Sequence, residues 1–350
     1  MPTNNRIYWA CQGVGISPQD STAFAGVHGL QSIGITTTFN LEQVFEIGQL
    51  SIYENIEDIP DIEVTMEKVL DGHPLLYHLA TKNASGTSLA ARSTKKCNVA
   101  LNIYDDTYEA ASGTPQAEVI MSGMYISSVS YTLPVDGNCT ESVTLVGNNK
   151  AWRSTVIGGG AYLMTGTLLG TTPNNDSPRN ITASGGVQRR ENVIWTGAAG
   201  QYTRLPAEVE GISPSGTNDM VAGVYNAHVQ NVSVSVDLGR EALNELGRKA
   251  PYFRYVNFPV EVSTEIEVTS SAGDQKVSAT EAGLGGSGFN LVDQSIFIAL
   301  QDGTRIDLGS RNKLASVTYG GADAGGGNAT STYSYTTFND FIVTHPSDNS

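Results

Sequence analysis

The stretch LQSIGITTTFNLEQVFEIGQLSIYENIEDIP, residues 30–60, decides the fold, because a related stretch, VQNVSVSVDLGREALNELGRKAPYFRYVNFP, returns at residues 229–259. The two align without a gap at an offset of 199 residues. The identical pairs are Gln31/Gln230, Glu42/Glu241, Glu46/Glu245, Gly48/Gly247, Tyr53/Tyr252 and Pro60/Pro259. Self-similarity at one fixed offset predicts an internal duplication.

Further blocks flank this pair and keep the same order in both halves of the chain. The corresponding blocks are 7–9 with 193–195, 15–18 with 211–214, 62–65 with 260–263, 99–101 and 105–107 with 297–299 and 302–304, and 127–140 with 314–330. We therefore predict domain copies at residues 1–155 and 191–350, joined by a connector or extended loop at residues 156–190. The connector could equally be a long hairpin that touches a neighbouring molecule. The alternative to duplication is that strand-rich segments resemble one another through alternation alone.

Alternation of apolar and polar residues predicts strands in both copies. In the segment after the first matched proline, Ile62, Val64 and Met66 alternate with Glu63 and Glu67. Because neighbouring side chains of a strand point to opposite faces, the apolar set belongs to a core and the acidic set to solvent. The second copy repeats the arrangement with Val260 and Val262 opposite Glu261 and Glu265.

A short helix is predicted between the two strands of each copy. Asn40, with a glutamine three residues later, matches a capping box and predicts a helix over residues 41–47, with its counterpart at residues 240–246. Each predicted helix is followed by a glycine, Gly48 or Gly247, that we expect to hold a positive φ angle. If these helices pack on their domains, replacement of Leu246 by Ala should cost about 2–5 kcal/mol.

The composition favours a mainly β protein. Only 16% of the 350 residues are charged, 39% are hydrophobic and 38 are glycine, which is typical of strands joined by turns. The predicted fold class is therefore mainly β, with two tandem β-sandwich or barrel domains that each carry a short flanking helix. No apolar run is long enough for a membrane helix and no secretion signal begins the sequence, so we expect a soluble protein without a membrane anchor.

The charge and the cysteines exclude several functions. A net charge of −15 argues against a surface that grips phosphates and suits one that nucleic acid passes without sticking. Cys11, Cys97 and Cys139 are odd in number and far apart, which predicts neither a disulfide framework nor a zinc cluster.

Signals for catalysis and for bound cofactors are weak. The sequence at residues 283–288 matches the pattern G-x-G-x-x-G, but the following residues predict a strand and not the required helix. The acidic residues Glu54, Glu57, Asp58 and Asp61 lack the spacing of a calcium loop, and the histidines lack metal-binding spacing. Since no nucleophile with an adjacent base can be named either, we predict no catalytic residue, no cofactor and no metal, and we predict that the protein is not an enzyme.

Basic and aromatic residues are interleaved at residues 248–255. Such a mixture could stack single-stranded bases, but in an acidic chain a subunit interface is favoured, since Tyr and Arg are enriched at interfaces. The interface candidates are Tyr252, Phe253, Arg254 and Tyr255.

Three segments together resemble the tail tube proteins of long-tailed bacteriophages, in particular the members with a duplicated tube domain. Residues 233–268 are similar to the helix-bearing segment of that family, residues 51–81 to its partner in the duplicated members, and residues 123–152 to the closing strand pair. The resemblance implies a virion structural protein, assembled in the host bacterial cytoplasm, whose inner sheets join into one barrel. It further implies rings of three chains with pseudo-sixfold symmetry, stacked into the channel for genome delivery.

The partners that the resemblance implies are further copies of the chain, baseplate, terminator and tape measure proteins, a possible sheath, and double-stranded DNA that passes without specific binding. Within this picture, Glu63, Glu67, Glu261 and Glu265 are candidates for the lumen-facing surface, although the same face could instead point outward. The alternatives are a capsid decoration protein, a tail terminator, or a secreted carbohydrate-binding β-sandwich.

Overall fold

A computed structural model describes residues 6–21, 24–104, 115–154, 186–195, 200–206, 209, 229–269, 293–321 and 326–346. The chain is mainly β, as the composition predicts. The described strands are β1 (Gln12–Pro18), β2 (Ala25–Gly26), β3 (Leu30–Thr38), β4 (Leu41–Phe45), β5 (Ile52–Glu57), β6 (Asp61–Val69), β7 (Cys97–Ile103), β8 (Ala117–Pro134), β9 (Thr140–Gly147), β10 (Asn149–Ser154), β11 (Val229–Asp237), β12 (Arg240–Leu243), β13 (Phe253–Val256), β14 (Glu261–Thr269), β15 (Phe297–Ala299), β16 (Arg305–Asp307), β17 (Lys313–Gly320), β18 (Thr330–Phe338) and β19 (Ile342–Thr344). Helices α1 (Leu76–Ala80) and α2 (Leu89–Ser93) follow β6, and 3-10 turns lie at Trp9–Cys11 and Arg190–Asn192.

Eight antiparallel strands form the main sheet in the order β3-β6-β9-β8-β11-β14-β18-β17. We call the strands up to β10 the first unit and those from β11 onward the second unit. The order β3-β6-β9-β8 of the first unit recurs as β11-β14-β18-β17 in the second, and β8 pairs with β11 where the units meet. The main sheet therefore runs without interruption through both units.

Strand β8 belongs to two layers. Its second half lies between β9 and β11 in the main sheet, whereas its first half pairs with β7 and β10. Gly123 lies between the two halves with a φ of 69°, a conformation that glycine adopts without a steric penalty. The first half thus joins a second sheet in the order β2-β1-β7-β8-β10.

One apolar core connects the two units. It is lined by Ile62, Val64 and Met66 of β6, by Val232, Val234 and Val236 of β11, and by Ile298, Ile306 and Val343 of the small sheet β15-β16-β19. The outward positions of β6 are exposed, as the alternation predicts. At the junction, the ring of Phe341 lies 5.7 Å from that of Tyr77 and 6.3 Å from that of Tyr131.

The helices predicted at residues 41–47 and 240–246 are wrong, since both segments are strands of exposed hairpins. Strands β4 and β5 pair from Leu41 opposite Glu57, and β12 and β13 pair from Arg240 opposite Val256. Asn40 does not cap a helix, because its side-chain amide donates to Ile59 O at 3.3 Å and closes the base of the hairpin.

The two glycines of the predicted helix stops do hold a positive φ, 97° at Gly48 and 84° at Gly247. They serve the turns of the hairpins and not helix ends. Leu246, predicted to pack on a domain, is 105% exposed at the tip of the second hairpin. The expected cost of its replacement by Ala therefore no longer applies.

The helices of the first unit lie further along the chain, and α1 is held by a buried carboxylate. Glu141 accepts hydrogen bonds from the backbone N–H groups of Leu76 at 2.6 Å and Tyr77 at 3.0 Å, which have no partner within the first turn of a helix. Burial raises the pKa of Glu141, although these bonds and the one from Tyr131 oppose the shift.

The described end of the predicted connector, residues 186–190, is bound between the units. Gln188 is fully buried, its N–H donates to Leu70 O at 2.7 Å, and its carbonyl accepts from Cys139 N at 2.8 Å. Its side-chain oxygen accepts from Asp302 N at 3.3 Å in the second unit. Residues 156–185, the G-x-G-x-x-G match at 283–288 and the block at 211–214 lie outside the described residues.

Candidate functional site

The main sheet has one face against the core and one polar face, which we define as the side opposite Ile62, Val64 and Met66. The polar face is rich in short hydroxyl side chains, and Val146 of β9 and Phe338 of β18 also lie on it. In one row, directly opposed residues on neighbouring strands are Glu67, Ser142, Ser130, Ser235, Ser263 and Thr336. Small hydroxyls keep such a surface even and hydrated, and they project little from the backbone.

Carboxylates are spaced across this hydroxyl surface. The structure places Glu63 and Glu67 on the polar face of β6, and Glu261 and Glu265 on the same face of β14. Two glutamates four residues apart on a strand are separated by about 13 Å, which exceeds the Debye length of about 8 Å at physiological salt. Within each of these two pairs, the carboxylates therefore act as separate negative charges. Glu267 of β14, which sequence reasoning missed, also lies on this face, two residues and about 7 Å from Glu265.

Positive charge is nearly missing from the polar face. Among the described residues of the eight main-sheet strands, Lys313 at the start of β17 is the one cation on that side, and its ammonium pairs with Asp293 at 2.9 Å. The guanidinium of Arg254, from β13, also reaches this side and pairs with Asp61. The cations found on this face are therefore paired with carboxylates and are not free to hold a phosphate.

The main sheet ends in two open edges within the described part of the chain. Strand β3 pairs with β6 alone, and β17 pairs with β18 alone. Unpaired N–H and C=O groups along such edges are a template for strand addition from another molecule.

The join between β8 and β11 shows how such edges meet. Tyr131 of β8 lies opposite Val234 of β11, and both side chains are fully buried. The Tyr131 hydroxyl donates to Glu141 Oε1 at 2.8 Å.

Arg240 fastens the same join from the side. Its guanidinium donates to the carbonyl oxygens of Ile126 at 2.7 Å, Ser93 at 2.5 Å and Arg254 at 3.1 Å. It also lies 4.9 Å from the ring centroid of Tyr125, and burial lowers its pKa to about 10. Sequence reasoning missed Arg240, which aligns with Leu41 in the predicted first copy. That difference between the two aligned segments is the signal that could have found it.

Two apolar hairpin tips project from the molecule. The tip of β4–β5 exposes Ile47 and Leu50, and the tip of β12–β13 exposes Leu246. None of these side chains contributes to the core, so the chain itself gives no reason for apolar residues at these positions. Exposed apolar groups that recur at matched sites are typical of contacts with other molecules.

The four interface candidates on β13 and its preceding turn are divided by the structure. Arg254 pairs with Asp61, and Phe253 packs edge-on against Tyr125 with ring centroids 5.6 Å apart. The hydroxyl of Tyr255 donates to Glu241 at 3.2 Å, and Tyr252 remains more than half exposed. Much of this predicted interface therefore serves contacts within the chain, and its role between subunits stays a prediction.

A metal site and a thiolate nucleophile each place specific requirements on the described residues. No group of three His, Cys, Asp or Glu side chains there is arranged to hold a metal ion. In the acidic stretch, burial would raise the pKa of Asp61, but hydrogen bonds from Asn40 and Arg254 outweigh it and lower that pKa. Burial raises the pKa of the Cys97 and Cys139 thiols to about 12, which disfavours a thiolate nucleophile.

Comparisons with known proteins give distant structural likenesses and no sequence relative. No protein family and no curated protein matches the sequence. Among solved structures, the chain is similar to the cap that terminates the tube of an anti-feeding prophage, with a TM-score of 0.33 and 12% sequence identity. The match covers 44% of this chain and 95% of that one. None of the described helices has the length and apolar character needed to span a membrane.

Proposed function

We propose that the protein is a virion structural subunit that polymerises into a phage-type tail tube. The observation that carries the proposal is the main sheet, which combines a cation-poor polar face with two open edges. Edge pairing between copies would continue the sheet around a ring and cover both edges. The resemblance to duplicated tail tube proteins implies a ring of six domains, and since each chain supplies two matched sets of four strands, three chains would complete that ring.

In this assembly the polar face lines the channel, and Glu63, Glu67, Glu261 and Glu265 project into the lumen. Double-stranded DNA carries one negative charge per about 1.7 Å of its axis, so a wall of the same sign repels it weakly along its whole length. The hairpin tips at Ile47, Leu50 and Leu246 contact the next ring of the stack. Baseplate, terminator and tape measure proteins, and a sheath where one exists, contact the tube ends and its outer surface.

Electron microscopy of the purified full chain tests polymerisation. The expected result is hollow tubes built of rings with three chains each. Closed particles would favour a capsid decoration protein, and persistent monomers would favour a binding module such as a carbohydrate-binding β-sandwich. Either of these results overturns the proposal.

The direction of the polar face is tested by chemical access in the assembled tube. Glu265→Cys should react with a maleimide on a polymer too large for the channel when the chain is unassembled, and should be protected in tubes. Trp152→Cys, at an exposed position of β10 in the second sheet, is the matched control and should react in both states. Full reaction of Glu265→Cys in intact tubes would place the polar face outside.

A further inference from the structure

The strands at the open edges of the main sheet have close counterparts at the join between the units. Strands β3 and β11 occupy matched positions of the repeat, and each has a register shift directly after its first residue, between Leu30 and Ser32 and between Val229 and Asn231. A β-bulge at the same place in two strands fixes their alignment to the residue.

The other edge, β17, corresponds in the same way to the second half of β8. Strand β8 shifts register against β9 between Ile126 and Ser128, and β17 shifts register against β18 between Leu314 and Ser316. Ser128 and Ser316 are thus equivalent positions. The join between β8 and β11 therefore brings together the counterparts of the two open edges.

We infer that β3 of one copy pairs antiparallel with β17 of a second copy in the register of the β8–β11 join. This inference rests on the proposed function and names the contact that closes the ring. Within the chain, the opposed pairs are Ser128/Asp237, Val129/Val236, Ser130/Ser235, Tyr131/Val234 and Thr132/Ser233. The pairs between copies are therefore Ser316/Thr38, Val317/Thr37, Thr318/Thr36, Tyr319/Ile35 and Gly320/Gly34.

This register keeps both faces of the sheet continuous. Thr36 and Thr318 both lie on the polar faces of their strands, as shown by their partners Glu63 and Thr332, so the hydroxyl surface crosses the contact. A slip of one residue would place apolar side chains of one strand on the polar face of the other.

Tyr319 supplies an independent argument. It lies on the core side of β17 and is 60% exposed, whereas its counterpart Tyr131 is fully buried opposite Val234. In the inferred register, Ile35 of the neighbouring copy takes the place of Val234 and covers the tyrosine ring. This contact explains why an aromatic residue, Tyr319, lies exposed on the core side of an open edge.

The two joins differ at the position of Arg240. Arg240 fastens the β8–β11 join to the Ile126 carbonyl, but the counterparts of these two residues are Leu41 and Leu314. Leu41 is 61% exposed on β4 beside the open edge. At the contact between copies, the side chain of Leu41 therefore takes the place of the guanidinium that the contact within the chain uses.

Cysteine pairs report the register directly. Hydrogen bonds from Leu238 N to Ser127 O and from Val135 N to Gln230 O bracket the join, so Ser130 and Ser235 form a pair without mutual backbone bonds. Such pairs have Cα atoms about 4.5 Å apart, within the range of a disulfide. The corresponding variant is Thr36→Cys with Thr318→Cys. Within one chain these positions lie at opposite edges of the sheet, about 30 Å apart, so a cross-link between them must be intermolecular.

The experiment assembles the full-length double variant under reducing conditions, confirms tubes by microscopy, and then oxidises them. We expect at least about tenfold more cross-linked product than from Thr38→Cys with Thr318→Cys, a diagonal pair about 7 Å apart on the same face. With three chains per ring, the ladder of products should end at a trimer. A mixture of the single variants Thr36→Cys and Thr318→Cys should yield dimers alone.

The outcomes separate the register from the function. Tubes in which the diagonal pair cross-links better, or in which neither pair does, overturn the inferred register and leave the tube proposal standing. Absence of tubes in the unmodified chain overturns the proposed function and this inference with it. If the double variant fails to assemble, the mixture of single variants, seeded on unmodified tubes, decides the register.

Discussion

Tyr131 and Val234 face each other across the join of the two units, and neither side chain is accessible to solvent. The tyrosine at the equivalent position of the open edge, Tyr319, lacks this cover in the single chain. Tyr131 and Tyr319 therefore form a matched pair for experiments. Replacement of Tyr131 reports the stability of the chain, and replacement of Tyr319 reports its assembly.

Replacement of Tyr131 by Ala should lower the free energy of unfolding by about 3–5 kcal/mol, because a fully buried aromatic ring is removed from the core. Replacement of Tyr319 by Ala should change it by less than about 0.5 kcal/mol and should prevent ring formation. Denaturant unfolding of the unassembled chain measures the first effect, and microscopy the second. Equal destabilisation by the two changes would show that Tyr319 is already packed within the single chain, which would contradict its proposed role at the contact between copies.

Replacement of Arg240 by Ala should lower the free energy of unfolding by about 1–3 kcal/mol, since buried carbonyl groups lose their donor. Lysine should not restore it, because a single ammonium cannot reach three carbonyl oxygens as the planar guanidinium does. Arg248→Ala is the matched control. Its side chain is exposed and pairs only with Glu245 among the described contacts, so its loss should change the unfolding free energy by less than about 0.5 kcal/mol. A similar effect of both changes would show that Arg240 does not fasten the join.

Replacement of Gly247 by Ala should cost about 1 kcal/mol, and by Val more, because only glycine holds the positive φ of this turn without strain. A Cβ at this position meets no atom within 4 Å, so the cost is conformational and not steric contact with a neighbour. Asn, which tolerates this conformation, should be the mildest substitute. Thermal unfolding ranks the three variants, and a mild effect of Val would refute the argument.

Replacement of Leu246 or Leu50 by Asp should leave the unfolding free energy within about 0.5 kcal/mol of its original value, because both side chains are fully exposed. In the proposed tube the introduced charges lie at the contact between rings, so rings should form without stacking. The lengths of particles in electron micrographs measure this. Tubes of unchanged length would remove the hairpin tips from the stacking contact.

The stability supplied by Glu141 should depend on pH. Burial raises its pKa in the folded protein above the usual 4.5, so the folded state binds this proton more tightly than the unfolded state. The corresponding stabilisation is complete below that usual value and is lost as the pH rises through the raised pKa. The difference in unfolding free energy between the unmodified chain and Glu141→Gln should therefore shift against the unmodified chain over the pH range that begins at the usual 4.5 and extends upward through the raised pKa. A constant difference over this range would show that the carboxyl does not titrate with folding.

The strands and their inward faces could be predicted from the sequence, because a period of two needs only neighbouring residues. The alternation of Ile62, Val64 and Met66 with acidic residues identifies the core face of β6, and the structure agrees. The matched glycines also predict positive φ angles correctly, since that property belongs to the local backbone.

The helices could not be predicted, because long-range contacts decide them. At residues 41–47 a short apolar run fits either a helix or a strand, and pairing with β5 selects the strand. Helix α1 depends on Glu141, which is more than sixty residues away in the chain. The role of Arg240 depends likewise on carbonyl groups of the first unit, and no pattern within its own segment reports them.

The join between β8 and β11 has a kinetic consequence for the proposed ring. Each encounter between free molecules loses about 4–15 kcal/mol of translational and rotational freedom, whereas segments of one polypeptide meet at an effective concentration in the millimolar range. Half of the six contacts in the ring are thus closed during folding, before any collision between chains. The nucleus that starts a tube then needs three molecules and not six, so the lag before polymerisation should vary with a lower power of protein concentration than for an unfused subunit.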